Sequence, residues 1–138
     1  MPAFNFPEYV AAFNSGNDDA MCERYFTEDF VMRTADRQVQ SRAGMREFFR
    51  LVHDGVREIL RPQIVTQDEH FIQAEIDIDF HALADRPQYP IQPLKTGDLV
   101  TVKFFCVYTL REGRIAALKT ARWPVGRATS PARPLAAL

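Results

Sequence analysis

Hydrophobic and polar positions alternate most strictly between His70 and Ala82. Even positions from 70 to 82 carry six apolar residues of seven, and odd positions from 71 to 81 carry one of six. Strand side chains point to opposite faces with period two, so this pattern predicts a long strand with one dry and one wet face. A second long strand is predicted from Leu99 to Leu110, then a tight Glu112-Gly113 turn and a third strand from Arg114 to Trp123. Ahead of these the periodicity is helical. Pro7 suits a first helical turn, Tyr9, Val10 and Phe13 form its apolar stripe, and Gly16 is a natural end cap. Asp18 or Asp19 can cap a second short helix, with Met21, Cys22, Tyr25 and Phe26 on its inner side. Phe30 to Thr34 reads as a strand that turns back at Asp36-Arg37 into a short partner, Gln38 to Gln40. Ser41 then caps the longest helix, predicted to carry Met45, Phe48, Phe49, Val52 and Val56 on one side and to end at Pro62. Gln63 to Thr66 begins the sheet proper. Helices first and long antiparallel strands afterwards define an α+β fold with a curved sheet.

Composition narrows the class without naming a reaction. A chain of 138 residues with 46% hydrophobic and 25% charged residues is expected to form one domain with a real core. The net charge of -1 gives no electrostatic reason to expect nucleic acid or an anionic membrane as partner. No stretch approaches the ~20 apolar residues of a membrane span, and the N-terminus lacks the basic-then-apolar pattern of a secretory signal. Cys22 and Cys106 form no framework pattern, which predicts a reducing, cytoplasmic setting. The domain is expected to occupy residues 1 to 125. Residues 126 to 138 form a tail rich in Pro and Ala, expected to be disordered or laid across a partner subunit. Between Ala84 and Gly97, stiffened by Pro87, Pro90 and Pro93, lies a long connection that reads either as a lid or contact arm or as an ordered surface excursion.

Three local stretches carry a family resemblance. Glu8 to Asn17, EYVAAFNSGN, resembles the first helix and Asn-x-Gly-Asp turn of the nuclear-transport-factor-2-like superfamily. Tyr25-Phe26-Thr27-Glu28-Asp29-Phe30-Val31 is similar to that family's entry into its first strand, and Ser41 to Phe49 to the start of its long helix. The resemblance covers roughly residues 5 to 125, in the branch of polyketide cyclases and ketosteroid isomerases. It implies a cone: a curved mixed or antiparallel sheet wrapped around N-terminal helices and enclosing a pocket. Ketosteroid isomerases use a tyrosine on the first helix, a carboxylate base on the first strand and a protonated carboxylic acid on a later strand. Tyr9 matches the tyrosine, but Thr34 (or Arg33) falls at the base and Cys106 at the acid. That mechanism does not carry over.

Register gives the candidate pocket. Pairing Arg111 with Arg114 across the turn places Cys106 opposite Lys119, Phe104 opposite Ala121 and Val102 opposite Trp123. Matching dry faces places Ala74 beside Cys106 and Ile72 beside Tyr108. The dry face is then Ile72 to Phe80 at even positions, Val102, Phe104, Cys106, Tyr108, Ala117, Ala121 and Trp123, with Lys119 among them. A β-bulge in the last strand would change this assignment. A lysine on an apolar surface can act as a base or Schiff-base nucleophile, or can snorkel to the rim. Tyr9 and Tyr108 offer hydroxyl donors, and His53, one turn after Phe49, offers an acid or base near neutral pH. Catalytic candidates are therefore Tyr9, His53, Tyr108 and Lys119, and ligand-binding candidates add Phe13, Phe49, Cys106 and Trp123.

The odd face holds Glu75, Asp77, Asp79 and His81. Residues two apart on a strand are ~6.6 Å apart, too far for neighbours to share an ion unaided. A charge ladder is the simpler expectation, with Lys103 opposite Asp77 and Arg122 opposite Lys103, and neither metal nor cofactor is expected. Phe71, Phe105, Val107 and Leu118 make this outer face partly apolar, which predicts a homodimer through it, as the family resemblance also implies. Three functions fit: acid–base chemistry of the isomerase, lyase or cyclase kind on a small, apolar, oxygen-bearing or aromatic molecule; non-catalytic binding of such a ligand; or an interaction module whose cone is filled by side chains.

Overall fold

The computed structural model describes residues 3–135. Asn5 opens the first helix, its side chain accepting from the Glu8 amide at 3.1 Å, and Pro7 sits in the first turn of α1 (Phe6–Asn14). Asn17 caps α2 (Asp18–Tyr25) in the same way, one residue earlier than predicted. The chain passes directly into β1 (Phe26–Arg33), which returns through a turn as β2 (Gln38–Gln40). Ser41 caps α3 (Arg42–Val52), accepting from the Gly44 amide at 3.0 Å. Its φ of 71° is unusual for a residue with a Cβ. Four long strands follow or complete the sheet: β3 (Val56–Gln67), β4 (Phe71–Ala82), β5 (Leu99–Arg111) and β6 (Arg114–Arg122).

The long helix stops earlier than its periodicity predicts. Asp54-Gly55 turns the chain after Val52, and Val56 to Pro62 belong to β3 instead. Gly55 has φ 72°, and a Cβ there would meet the Ala84 Cβ at 2.8 Å. Only glycine allows this corner. Pro62 is tolerated because β3 is an edge strand and the register slips between Pro62 and Ile64.

The sheet has the order β2-β1-β6-β5-β4-β3, antiparallel except for the parallel β1–β6 pair. Ile72 pairs with Tyr108, Ala74 with Cys106 and Asp77 with Lys103, as the matched faces predict. Glu112 and Gly113, with φ 52° and 77°, form the left-handed turn suited to a two-residue hairpin. One residue beyond Leu110↔Ile115 the register slips, so Thr109 pairs with Ala117, Val107 with Lys119 and Phe104 with Arg122. This bulge corrects the predicted dry face. Leu118 points inward and is 8% exposed, while Ala117, Lys119, Ala121 and Trp123 belong to the outer side. Arg122 no longer faces Lys103.

From Asp77 to His81 the odd face is not wet. Asp77 and Asp79 are 0% exposed, and Lys103 and His81 are also buried. Arg61 forks onto Asp79, 2.8 Å from Nε to Oδ2 and 2.8 Å from Nη2 to Oδ1, while Thr101 donates to Oδ1 at 2.7 Å. Lys103 lies 2.8 Å from both Glu75 and Asp77. The C-terminal segment closes the cluster. Ser130 donates its amide (2.8 Å) and hydroxyl (2.7 Å) to Asp77, and Arg61 donates to the Ser130 hydroxyl at 2.6 Å. The tail, as far as it is described, thus lies across the outer face of its own sheet; its last three residues fall outside the described range. Donors and a cation satisfy each buried carboxylate, the condition under which such charges are tolerated.

Candidate functional site

The inner faces of β3 to β6 curl around α1 and α3 and leave a cavity of about 930 Å³. The cone is therefore not filled by its own side chains. Its walls are largely apolar, with Phe13, Phe49, Leu60, Ile78, Phe80 and Phe104 among them. The long connection after β4 supplies another wall. Arg86 and Leu94 pair across it, Leu94 is buried, and the Tyr89 hydroxyl donates to the Val52 carbonyl at 2.9 Å, which brings Tyr89, Pro90 and Ile91 to the cavity.

A few polar groups converge in this apolar space. Tyr9 comes from α1 and Tyr108 from β5, their rings 5.8 Å apart at 73°. Burial, first of all, pushes both phenols above their ordinary range, so both stay protonated donors. Burial also pushes the Cys106 thiol, beside Tyr108, up to about 12, so it is no thiolate.

One of the cavity's carboxylates comes from β3. Val56, Glu58 and Leu60 share the inner side, opposite Ala82, Phe80 and Ile78, and Glu58 lines the cavity. Two contacts hold that strand against the end of α1. Asn14 donates to the Leu60 carbonyl at 2.9 Å and accepts from its amide at 2.8 Å; Arg57 donates to the Asn14 carbonyl at 2.7 Å. The periodicity that carries the predicted helix on to Pro62 hides Glu58 in a helical tail, whereas it stands on β3. The Asp54-Gly55 turn followed by Val56-x-Glu58-x-Leu60 alternation was the signal that could have revealed it.

Behind Glu58 stands His53. Its Nε2 lies 2.9 Å from Glu58 Oε1 and its Nδ1 lies 2.8 Å from Asp18 Oδ2. The ring stacks on Phe49 with centres 4.9 Å apart. Burial alone would favour neutral imidazole, but the two carboxylates outweigh it and raise the His53 pKa to about 9. At neutral pH both ring nitrogens therefore donate. Helix ends assist: His53 caps the C-terminus of α3 and Asp18 begins α2, each at the end that favours its charge. Among the described residues Glu58 Oε2 accepts no hydrogen bond, which leaves that oxygen available on the cavity side.

Of the residues singled out from sequence, Tyr9, Phe13, Phe49, Cys106 and Tyr108 line the cavity, and His53 reaches it through Glu58. Lys119 and Trp123 do not. The bulge turns Lys119 to the exposed outer side, and Trp123 packs on Phe105 there, ring centres 5.7 Å apart.

The sequence profile of the SnoaL-like domain matches residues 6–118, most of the chain. The chain belongs to the SnoaL-like family. Its fold is that of the nuclear-transport-factor-2-like superfamily. A "putative polyketide cyclase" of Pseudomonas putida shares 22% identity over 88% of this chain and 91% of that one, with a TM-score of 0.72. One from Xanthomonas campestris shares 23% over 81% and 82%, with a TM-score of 0.68. AclR of Streptomyces galilaeus, described as a "putative hydroxylase", shares 18% over 83% of each chain, with a TM-score of 0.66. At these identities the likeness establishes the fold. No functionally curated protein matches. Among the described residues no helix is long and apolar enough to cross a membrane.

Proposed function

We propose that this member of the SnoaL-like family performs acid–base chemistry, of the isomerase, lyase or cyclase kind, on a small, apolar, oxygen-bearing molecule. One observation carries this reading. An apolar cavity of about 930 Å³ contains a carboxylate, Glu58, fixed through one oxygen by the His53 side chain at 2.9 Å, and shares it with the Tyr9 and Tyr108 hydroxyls. Glu58 Oε2 takes a carbon-bound proton; Tyr9 and Tyr108 donate to the oxygen on which charge develops; His53 and Asp18 hold Glu58 in place. The base thus sits on β3, whereas the isomerase pattern would put carboxyls at Thr34 and Cys106.

A substrate-independent assay tests it. 5-Nitrobenzisoxazole loses its C3 proton to a base while its N–O bond breaks, releasing a coloured cyanophenolate. Wild type should accelerate this elimination, and Glu58→Gln should lower the rate by ~10²–10⁴-fold. An unchanged rate in Glu58→Gln would remove Glu58 from the mechanism. A wild type that binds aromatic ligands yet eliminates no faster than acetate would favour a non-catalytic binding protein, which the apolar lining also suits.

The uncovered part of the outer face, where Phe71 is 46%, Phe105 38% and Trp123 43% exposed, supports a homodimer. Phe105→Glu should then convert a sedimenting dimer to a 15.8 kDa monomer. The two free, buried thiols, Cys22 and Cys106, suit a reducing cytoplasm.

A further inference from the structure

The slip that turns Lys119 outward turns Arg122 inward. Arg122 pairs with inner-facing Phe104 and lines the cavity. β1 runs parallel to β6 with Arg33 level with Lys119, so the β1–β2 turn arrives beside the end of β6. From that turn Arg37 lines the same cavity, its guanidinium 5.0 Å above the Phe48 ring centre. Both arginines are exposed. The described arginine ion pairs of this chain engage Arg24, Arg42, Arg46, Arg50, Arg61 and Arg111. Arg37 and Arg122 belong to none of them.

The remaining charges leave this rim positive. Asp36 also lines the cavity and accepts from the Thr34 hydroxyl at 3.1 Å. Glu58 is already paired with His53 and stands on β3, at the far edge of the sheet from β2. Two guanidiniums against one carboxylate leave a single positive charge at the rim, matched by one negative charge on a ligand.

We propose that the ligand is an apolar, oxygen-bearing carboxylic acid. Its carboxylate is held by Arg37 and Arg122, and its oxygenated body lies toward Glu58, Tyr9 and Tyr108. This rests on the reading of Glu58 as the reacting end of the cavity. Guanidinium groups match a carboxylate in planar geometry and stay charged at all relevant pH. Both are exposed, so the attraction is modest and screened by salt. The arginines thus select the substrate and orient it, while Glu58 does the chemistry.

Matched probes test this: 6-hydroxy-2-naphthoic acid, its methyl ester, and calorimetric titration of each. The acid should bind wild type about ten-fold tighter than the ester, with a preference that shrinks at high salt. Arg122→Gln and Arg37→Gln should each reduce the preference several-fold, and the double variant should abolish it. Equal binding of acid and ester by wild type, or a preference that survives in the double variant, would overturn the proposal, as would failure of both probes to bind. Elimination of the neutral benzisoxazole reports separately on Glu58. A silent base with intact acid preference would sink the catalytic reading and leave the arginine rim standing.

Discussion

The two faces of β4 and its neighbours treat buried polar groups in opposite ways. On the outer face Glu75, Asp77, Asp79, Lys103, Arg61 and Ser130 spend their hydrogen-bonding capacity on one another. On the inner face Tyr9, Tyr108 and one oxygen of Glu58 meet the cavity. A cluster whose members pair with one another has little left to offer a ligand, and its place is in holding the sheet and tail together. Groups aimed into an apolar space keep that capacity for whatever enters. The burial of a charge therefore says less about function here than what its partners leave unused.

Breaking the outer cluster should have the largest effect on stability. Arg61→Met leaves Asp79 buried without its cation, and should cost about 3–5 kcal/mol in urea unfolding. A loss below about 1 kcal/mol would show that Asp79 has water or another partner available. The inner pair should show itself through pH. His53 has a folded pKa of about 9 against an ordinary 6.5, so folding strengthens its hold on the proton. That contribution is complete below about pH 6.5 and lost as pH rises to about 9, at most about 3 kcal/mol. Unfolding measured across that window should show the decline, and His53→Gln should flatten it. A flat wild-type curve would mean that the two carboxylates do not hold the imidazolium. Smaller again is the tail: Ser130→Ala removes the hydroxyl shared by Asp77 and Arg61 and should cost about 1–2 kcal/mol. An unchanged midpoint would detach the tail from the stability of the sheet.

What could be read from the sequence follows from what each signal encodes. Alternation from His70 to Ala82 gave strand, face and the register with β5, because a one-residue slip there would expose Ile72 to Phe80. The same alternation could not tell a wet face from a dry one built of charges. Burial of Asp77 and Asp79 depends on Ser130, more than fifty positions away, in a tail whose composition resembles disorder. Periodicity alone extends α3 past Val52, because Val56 continues the apolar stripe and Pro62 reads as a stop. The Asp54-Gly55 corner is a local signal; that Pro62 sits on an edge strand is a property of the whole sheet. Tyr9, Phe13, Phe49 and Tyr108 are legible because large, mostly apolar side chains mark the inner face. Glu58, a polar residue among them, carries no such mark.

The bulge supplies the finest test of the inner–outer contrast. It moves Lys119 from the predicted cavity wall to an exposed site between Val107 and Arg33. An exposed residue away from any ion pair should be replaceable at little cost, so Lys119→Ala should shift stability by less than about 0.5 kcal/mol. Reductive trapping with an aldehyde of the cavity-sized kind should label wild type and Lys119→Ala alike. Selective loss of labelling or of benzisoxazole turnover in Lys119→Ala would return the lysine to the cavity, and with it the unslipped register. That same register would turn Arg122 outward, so a single substitution on β6 reads the placement of both residues.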